Sequence, residues 1–582
     1  MTPSGTIWYC TGMYLKITRS GPRTYLQIME AYRDPETGRP KQRYIGSLGR
    51  LDQIERKDLD SLIDGLLKVT NRPTLAELQE GISSENTTFE PARELGSIWA
   101  IFSIWRQLGL AQMIARKARK RRHSIDIEAL VRVMVTNRLS DPRSKLGVLR
   151  WLETVYLPGV DRSQVTHQNL LRAMDALAEH KEALEEELAG TLLPLFDRSM
   201  EVVFYDITTV RVEGEGKEDG DLRHWGKAKE GDFVQRQFAV GVVQTAEGFP
   251  VMHEVFEGNI GEPSTVRGIV ASLKERFPIE RVILVADRAM LSYDNLDELE
   301  EQGLEYLMAV PARKYTKLVE NLEELHEELV AESRKTGEEA VIERPLGDGR
   351  RLIVAHSPKI AKRSRRARAE RLVSVLKSAR GLVERLEAQE RGEGGPGRPL
   401  TEEGAKVRLY ELTGKKRVRR LVRVDIEEAC LTWYWDVEEL KRDLMLDGKL
   451  VLITNVPDLD AREAVRRYKG LADIERGFRV LKSEIEIAPV HHRLPERVKA
   501  HTFICFLALV IHRVMRWRIK EKQLPFTPEY LLEKLKTVQH HQVRLATGTL
   551  LSGVTAISPE QRSLFEAIDV PPPTRGKLPR EL

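Results

Sequence analysis

The chain has 582 residues, more than one hydrophobic core usually supports, and its length predicts about three to five folding units. Hydrophobic residues make up 41% and charged residues 31%, which is typical of a globular protein with a highly charged surface. The formal net charge of +5 does not by itself indicate a nucleic-acid partner, because the clustering of charge matters more than its sum. The three scattered cysteines exclude a disulfide framework and a paired-cysteine metal site, and predict a reducing, cytoplasmic location.

Neither a secretory signal nor a membrane partner is predicted. The N-terminal sequence MTPSGTIWYCTGMYLKITRS lacks a basic start followed by an unbroken apolar stretch. The most apolar segment, Phe503 to Trp517, is interrupted by His512, Arg513 and Arg516 and is shorter than the roughly 20 apolar residues that a span requires. We therefore predict a buried helix for this segment.

The first third of the chain changes from a strand pattern to a helix pattern. Residues 1–90 are predicted to be a small β-rich region, because alternating runs such as TYLQIMEAYR at 8–48 are separated by turn sequences and indicate a small antiparallel sheet. Residues 91–198 have apolar residues three and four apart and predict an α-helical domain. This domain contains the basic run ARKARKRRH at 115–123, which is either a phosphate contact or a solvated surface.

The rest of the chain has the pattern of an interrupted mixed α/β sheet. Over 199–315 three predicted strands are followed by a helix, a strand, a helix and a strand. Residues 316–445 are charge-rich and Gly/Pro-rich and are interpreted as an insertion, after which KLVLITNV and a long helical run resume the pattern over 446–520. The end of the chain, 521–582, is predicted to be helical with a disordered tail.

The insertion is basic in two places. KIAKRSRRARAER (359–371) has seven basic residues against one acid, and GKKRVRRLVR (414–423) has six basic residues. Trp433, Tyr434 and Trp435 follow the second run closely enough for one hairpin to carry both. In a strand the two tryptophans share one face and Tyr434 lies on the other, so we expect the tryptophans to be buried together with Tyr434 exposed, or the reverse. The alternatives are a surface that stacks on nucleic-acid bases and a core that the tryptophans fill.

Two aspartates stand at the ends of predicted strands. Asp206 ends VVFYD and Asp287 ends VILVAD, so each carboxylate is expected at the edge of the sheet, where together they are a candidate metal site. Acids also end strands for solubility, which is the alternative for each. His491 and His492 have no Cys or acidic partner at ligand spacing, so we interpret them as a surface or nucleic-acid-facing pair. The GK[ST] pattern of a phosphate loop is absent, so ATP-driven activity is not supported.

A third acid is expected on a helix. In AVRRYKGLADIERGFRVLKSE, Tyr468, Glu475 and Lys482 are spaced by seven residues, which at 3.6 residues per turn return to nearly the same side of the helix. Because Tyr, Glu and Lys are poor core residues, this face is not expected to be a core stripe, and the alternative is a solvated charged face. Glu475 would meet the two aspartates, while Lys482 would meet a phosphate.

This set of residues resembles the DDE transposases of bacterial insertion sequences, in the insertion sequence 4-like branch whose signature helix reads Tyr, two residues, Arg, three residues, Glu, six residues, Lys. Tyr468, Glu475 and Lys482 match the signature. Leu471 occupies the Arg position, so the contact that this Arg makes in the family is not assigned to this chain. The resemblance extends through YDITTV and VADRAMLSYDNLDEL and covers roughly residues 200–520. It is weaker before residue 200.

The resemblance implies an RNase H-like core and a metal-dependent polynucleotidyl phosphotransferase. Two Mg²⁺ ions, for which Mn²⁺ can substitute, would activate the attacking oxygen and stabilise the leaving oxygen at phosphorus. Asp206 would bridge both ions, and Asp287 and Glu475 would complete one each. The nucleophile would be water and then a DNA 3′ hydroxyl, giving the nicking, end cleavage and strand transfer of cut-and-paste transposition.

The resemblance also implies a homodimer that binds double-stranded DNA, both as terminal inverted repeats and as target. Residues 1–90 are expected to bind DNA ends, 91–198 to bind DNA or dimerise, and 316–445 to contact DNA. Arg288 and Arg479 stand beside the acids in the sequence, and the alternative to a phosphate contact is that they neutralise the acidic cluster. The candidate DNA-contacting residues are Tyr468, Lys482, Arg288, Arg479, Trp433 and Trp435.

Two other functions remain open from the sequence. A metal-dependent nuclease with the same core would use the same acids only for hydrolysis, and the Tyr468 to Lys482 helix and the basic insertion favour the transposase over it. A non-catalytic DNA-binding descendant is disfavoured because all three acids are intact.

Overall fold

The structure is a computed structural model in which the chain divides into two compact units. We call them the N-terminal unit (Met1–Ala92 with His540–Thr555) and the main unit (Arg93–Gln539 with Ala556–Leu582). The residues that the structure describes are 12–72, 74, 87–118, 125–196, 202–214, 220–227, 234–245, 247–260, 262–277, 283–286, 293–301, 303–311, 322–346, 349–393, 399–427, 430–545 and 548–574.

The N-terminal unit contains an antiparallel sheet of β1 (Gly12–Ser20), β2 (Arg23–Arg33) and β3 (Pro40–Arg50), followed by α1 (Arg56–Val69). Gly21 has a φ of +59° at the first position of the two-residue turn between β1 and β2, where a tight hairpin requires a positive φ. The small antiparallel sheet expected in this region is therefore confirmed.

Three further strands pair in the order β4, β17, β18. They are β4 (Thr88–Phe89), β17 (Gln539–Arg544) and β18 (Leu550–Val554). Arg544 of β17 donates to Oε1 of Glu90 at 3.0 Å, so an ion pair joins the two chain segments that make up this unit.

A helical part forms the beginning and the end of the main unit. The longest of its helices, α15 (Pro495–Glu521), packs on several others and is long and apolar enough to span a membrane, but 94% of its most apolar stretch is buried inside the protein. The prediction of a buried helix is therefore confirmed. The other elements of this part are β5 (Arg93–Glu94), α2 (Gly96–Gln107), α3 (Leu110–Ala118), α4 (Ile127–Ser140), α5 (Lys145–Trp151), α6 (His167–Ala178), α7 (Lys181–Phe196), α16 (Pro528–Leu535) and α17 (Pro559–Ala567).

The first half of the central sheet is an antiparallel arrangement around β8 (Val234–Thr245). One edge of β8 pairs with β6 (Val202–Arg211), and the other edge pairs with β7 (His224–Lys227) and β9 (Pro250–Glu257). Gly241 of β8 is required by packing, because a Cβ there would lie 2.7 Å from the ring of Tyr205 in β6. The ring of Tyr205 therefore packs directly against the backbone of β8 at Gly241.

The second half of the sheet is parallel at first. β10 (Ile283–Ala286) pairs parallel with β6, and β11 (Glu305–Ala309) pairs parallel with β10. The connections contain α8 (Glu262–Arg276) and α9 (Tyr293–Glu301). The predicted order of three strands, helix, strand, helix and strand is confirmed, with the short β7 as an addition, and this mixed α/β arrangement is consistent with an RNase H-like core.

Three more strands extend the sheet beyond β11. β16 (Lys449–Thr454) pairs antiparallel with β11, β13 (Arg350–His356) with β16, and β12 (Ala340–Leu346) with β13. α10 (Leu322–Thr336) contributes Leu325 and Leu329 to the core of the sheet. The beginning of the segment expected to be an insertion is therefore part of the sheet.

The remainder of that segment has small cores of its own. One combines Ala379, Val383 and Leu409 with Ile426, and another lies around Val375. Two helices and a hairpin pack together there. Their bounds are α11 (Pro358–Glu390), α12 (Glu402–Lys415), β14 (Val422–Glu427), β15 (Cys430–Trp435) and, next in the chain, α13 (Val437–Leu446).

The two faces of the sheet have separate cores. Tyr205 and Leu284 belong to one, while Phe204, Ile283 and Val285 belong to the other. This follows from alternation, since successive strand residues point to opposite faces. The second face is covered by α14 (Ala461–Ser483), which packs on strands β6, β10, β11, β12 and β13.

Candidate active site

Two of the three predicted acids belong to neighbouring strands. Asp206 lies within β6, and Asp287 follows β10 directly in the sequence. The strands are parallel, with Ile283 opposite Val202. Asp206 is described only as a strand position, and Asp287 lies outside the described residues, as does Arg288.

The strand that carries Asp206 is fixed from the opposite face. Tyr205 is fully buried there, and its hydroxyl donates to Oγ1 of Thr265 in α8 at 2.7 Å. Ile207 is also buried on that face, 4% exposed. Since buried side chains on both sides of position 206 pack against one core, the backbone of β6 is held rigidly at this point.

The third acid lies on the helix that covers the other face. α14 begins at the N-cap Asp460, whose carboxylate accepts from the backbone N–H of Glu463 at 2.9 Å. Tyr468 is 9% exposed and belongs to the core that contains Phe204. The expectation that this helix face is not a core stripe is therefore wrong for Tyr468, because a tyrosine ring supplies a large apolar area to the sheet. Glu475, seven residues later, is described only as a helix position.

The basic candidates on α14 differ in exposure. Arg479 is exposed, and Lys482 is half-buried. Lys482 lies in the last turn of the helix, where a cation interacts favourably with the helix dipole. This electrostatic role exists alongside any contact with a phosphate.

A second acidic group lies just beyond α14 and was missed by the sequence argument. Nε2 of His512 lies 3.3 Å from Oε2 of Glu484 and contacts Oε1 of Glu529. Burial favours a neutral imidazole, but the hydrogen bonds that the imidazole donates to the two carboxylates raise the pKa of His512 above its ordinary value. The three ligand atoms lie within 4.8 Å of one another, so this group could hold a metal ion or a proton. Only the fold brings these distant residues together.

The predicted aromatic hairpin is present. β14 and β15 pair antiparallel, with Val424 opposite Trp433 and Arg423 opposite Tyr434, so one hairpin carries basic and aromatic residues. Trp433 and Trp435 share a face, with ring centroids 5.1 Å apart and nearly perpendicular planes. Trp435 packs against the core, Tyr434 is exposed, and Trp433 remains 46% exposed. The expectation that both tryptophans have the same burial is therefore wrong, because only Trp435 reaches the core between α11 and the hairpin.

The basic run of α11 is divided between structure and surface. Arg368 is 7% exposed and forms ion pairs with Asp443 and Asp447, which join α11 to α13. This arginine is therefore part of the fold. Five exposed cations remain in this run: Lys359, Lys362, Arg363, Arg365 and Arg366.

The earlier basic run at 115–123 is only partly described. Arg116 in α3 forms an ion pair with Glu187 of α7. Residues 119–124 lie outside the described residues, so the prediction for this run is not tested.

Comparison with known proteins gives two family matches. A family model described as transposase DDE domain matches residues 197–511, and a model for the N-terminal domain of IS1634 family transposases matches residues 15–80. None of the curated proteins matches.

Two solved structures show weak likeness. The cryo-EM structure of the piggyBac transposase synaptic complex with hairpin DNA is 9% identical, with a TM-score of 0.34 over 77% of this chain and 82% of that chain. The Mos1 transposase paired-end complex with the left transposon end is 11% identical, with a TM-score of 0.14 over 32% of this chain and 60% of that chain. At these TM-scores neither likeness carries weight in the assignment.

The DDE domain match covers more than half of the chain and includes the positions of Asp206, Asp287 and Glu475. The N-terminal match adds a second part of the chain that is similar to the same class of proteins. Membership implies the use of a divalent metal ion. The chain therefore belongs to the DDE transposases of bacterial insertion sequences, enzymes that cleave DNA and transfer its strands during transposition.

Proposed function

We propose that Asp206, Asp287 and Glu475 form the metal site at which this transposase cleaves the transposon ends and joins them to target DNA in a cut-and-paste reaction. The observation that carries the proposal is that β6 and β10 are neighbouring strands of the sheet and that α14 packs on one face of both. The register of the two strands and the period of the helix support it independently.

The strand register supports a pairing of the two aspartates. Val285 of β10 lies opposite Phe204 of β6, an offset of 81 residues, and the same 81 residues separate Asp206 from Asp287. If the register continues for two more residues, the aspartates are neighbours. Alternation would then place both on the face of Phe204 and Val285, the face that α14 covers.

The helix period supports the approach of Glu475. Tyr468 packs into the core between α14 and the sheet, so its side of the helix faces the strands. Two turns later Glu475 returns to nearly the same side, lagging by about 20°. We propose that Tyr468 acts by holding α14 on the sheet and thereby aims Glu475 at the aspartates, rather than through the DNA contact expected from the sequence.

The three acids fit a site for hard divalent cations. Carboxylates offer only oxygen ligands, which Mg²⁺ prefers, and we propose two Mg²⁺ ions, replaceable by Mn²⁺, held by Asp206, Asp287 and Glu475 with Asp206 shared. When bound, such a pair activates the attacking oxygen and stabilises the leaving oxygen of an in-line displacement. The protein supplies rigid positions for the acids through the buried neighbours of β6 and α14.

Basic residues near the acids are proposed to hold the DNA backbone. Lys482 continues the helix face of Tyr468 and Glu475, and Arg479 is exposed one turn beyond Glu475. Arg288 is adjacent to Asp287 in the sequence. Such contacts position a duplex without reading its sequence.

The other parts of the chain are proposed to recognise and assemble the DNA. The N-terminal region 1–90 would bind the terminal inverted repeats, 91–198 would bind DNA or support a homodimer on DNA, and the basic surface of 316–445 would grip DNA near the cleavage site. The five exposed cations in the 359–371 run of α11 and the hairpin of β14 and β15 support the last assignment.

A joining assay separates this function from that of a nuclease. The purified protein is incubated with a duplex that ends in the inverted repeat flanking its gene, a supercoiled target plasmid and Mg²⁺. We expect the transposon end to become covalently joined to the plasmid through its 3′ hydroxyl. Cleaved ends that never join the plasmid would instead support the nuclease.

A further inference from the structure

A basic cleft lies in the main unit between the helical part and the segment that follows α14. Its volume is about 730 Å³, and its walls come from α4, α5, α6, α15 and residues 486–494. Val490 in one wall donates to the carbonyl of Arg211 at 3.1 Å and accepts from the N–H of Glu213 at 2.9 Å. The wall is thus bonded to the end of β6. Arg211 is five residues beyond Asp206, about 17 Å along the strand.

Lys145 is the central feature of this cleft. It lines the cleft, is only 6% exposed, and its ammonium makes no hydrogen bond or ion pair within the described part of the chain. Burial and the nearby charge of Arg138 lower the pKa of Lys145 to about 7. A buried ammonium without a counter-charge is unfavourable, so this amine is only partly protonated at neutral pH, and an anion held in the cleft would favour its charged form.

Two other residues that line the cleft carry unsatisfied polar atoms. Nη1 of Arg138 donates to the carbonyl of Glu486 at 3.1 Å, while its Nε is buried and has no hydrogen-bond partner among the described residues. Nε2 of His501 donates to the carbonyl of Ile487 at 3.1 Å, so its buried Nδ1, which has no described partner, is an acceptor that a water or a hydroxyl can satisfy. These unsatisfied groups are costly unless a ligand or water uses them.

The charge of the cleft is strongly one-sided. Cationic and imidazole side chains line it, and Glu486, which is exposed, is the single acid among the described lining residues. Burial lowers the pKa of His492 to about 3, so the imidazoles of His492 and His501 serve as neutral hydrogen-bonding groups rather than as cations. Arg497 is partly neutralised by Asp175 at 2.9 Å, which leaves Lys145 and Arg138 as the inner cations.

We infer that this cleft binds a phosphate of a DNA strand, at a site separate from the three-acid metal site. A buried ammonium and a guanidinium match the charge of a phosphate, and the neutral imidazole of His492 can donate one directional hydrogen bond. The volume exceeds what a free anion requires, and apolar walls at Pro142, Leu146 and Pro489 suit a sugar or base attached to the phosphate. The assignment of the phosphate to DNA rests on the proposed function.

The position of the cleft gives the site a role in holding the substrate. Because its wall is bonded to β6, a phosphate held there fixes the DNA relative to the strand that carries Asp206. The contact would act several nucleotides away from the cleaved bond. It would position the substrate and take no part in the chemistry.

The test uses Lys145→Met in the full chain, with Lys499→Met as the matched control. Lys499 is exposed, lies two residues from Arg497 and does not line the cleft. Thermal unfolding is followed with inorganic phosphate against chloride at equal ionic strength. Binding is measured with the single-stranded oligonucleotide (dT)6 and with the same oligonucleotide carrying an uncharged methylphosphonate backbone.

We expect phosphate to raise the Tm of the wild type and of Lys499→Met but not of Lys145→Met, whose ligand-free Tm is unchanged or higher. Affinity for (dT)6 should fall at least tenfold in Lys145→Met, and the methylphosphonate form should bind weakly to every variant. If (dT)6 does not bind but inorganic phosphate does, the assignment to DNA is overturned. An equal response of Lys145→Met and wild type to both probes would overturn the site.

Two further measurements keep the result independent of folding and of transposition. Lys145→Gln replaces the methionine variant if that chain does not fold, and the same loss of phosphate response is expected. Asp206→Asn should bind phosphate in the cleft normally while losing DNA cleavage. Failure of the wild type to join DNA, with the phosphate response intact, would therefore contradict the proposed function and leave the cleft site standing.

Discussion

Ile283 of β10 lies opposite Val202 of β6 in a parallel pairing whose offset equals the sequence distance between Asp287 and Asp206. Parallel strands carry equivalent positions side by side, so an equal offset means that the two acids occupy the same level of the sheet if the register persists. Combined with the packing of α14 over this face, the relationship makes the proposed metal site a specific and testable arrangement.

Replacing Asp206 or Asp287 by Asn, or Glu475 by Gln, should abolish Mg²⁺-dependent cleavage while binding of the transposon end is largely retained. The reason is that these acids are proposed to hold metal rather than DNA. Cleavage is measured on a labelled end duplex and binding by mobility shift. The matched control is Glu484→Gln, which alters the other acidic group and should cleave normally. Full cleavage by any of the first three variants would remove that residue from the site.

Replacing Lys482 by Ala should slow cleavage and reduce the salt dependence of end binding. One lost phosphate contact lowers the slope of log affinity against log salt by about one. Arg466→Ala is the control, because Arg466 is exposed, pairs with Glu463 and lies on a different side of α14. An unchanged slope and rate in Lys482→Ala would assign this residue to a solvated helix face.

The Trp433 face of the hairpin is predicted to stack on an unpaired base near the transposon end. Trp433 is 46% exposed and its ring contacts the ring of Trp435. Stacking on a base would therefore cost little side-chain entropy. Trp433→Ala should lose about 1 to 3 kcal/mol of binding to an end with an unpaired base. Tyr434→Ala, on the opposite face of the strand, should lose much less.

The readout for this platform is 2-aminopurine fluorescence at the transposon end. Wild type and Tyr434→Ala should give the unstacking signal, whereas folded Trp433→Ala and Trp435→Ala variants should give less. Equal signals from all variants would leave the hairpin as an electrostatic contact only, and a loss confined to Tyr434→Ala would assign the base to the other face.

Glu185 is predicted to be a strong determinant of the stability of the main unit. It is fully buried, accepts from the backbone N–H of His253 at 3.0 Å and pairs with Arg276 at 2.8 Å. Glu185→Gln should lower the free energy of unfolding by about 3 kcal/mol or more, because it leaves buried partners uncompensated. Glu186→Gln should cost less than about 1 kcal/mol, since its carboxylate is largely exposed. Urea denaturation measures both.

The stabilisation that Glu185 provides is also predicted to depend on pH. Burial would by itself raise the pKa of Glu185, but the interaction with His253 and the charges of Lys181 and Arg276 hold it below the ordinary value. A lowered pKa means that this stabilisation is complete above the unfolded pKa of about 4.3 and is lost as the pH falls through the folded pKa. The difference between wild type and Glu185→Gln should therefore be constant near neutral pH and shrink in acid. A difference that grows in acid would contradict this assignment.

Local periodicity in the sequence determined the order of strands and helices over 199–315, apart from the short β7, and the seven-residue spacing of Tyr468, Glu475 and Lys482. These features depend on residues close in the chain, whose alternation of two or repeat of 3.6 is visible in the printed sequence. The hairpin that carries Arg423 and Trp433 was predictable for the same reason, because turn and strand patterns are local.

Only the tertiary structure decided which of these residues are buried and which distant residues meet. Trp433 and Trp435 have the same strand parity, yet one reaches a core and the other does not. The sheet recruits β12 and β13 from the segment expected to be an insertion. Lys145 shares a cleft with His492, which lies far along the chain. Burial and long-range pairing depend on packing across the whole fold, and local sequence patterns carry no record of it.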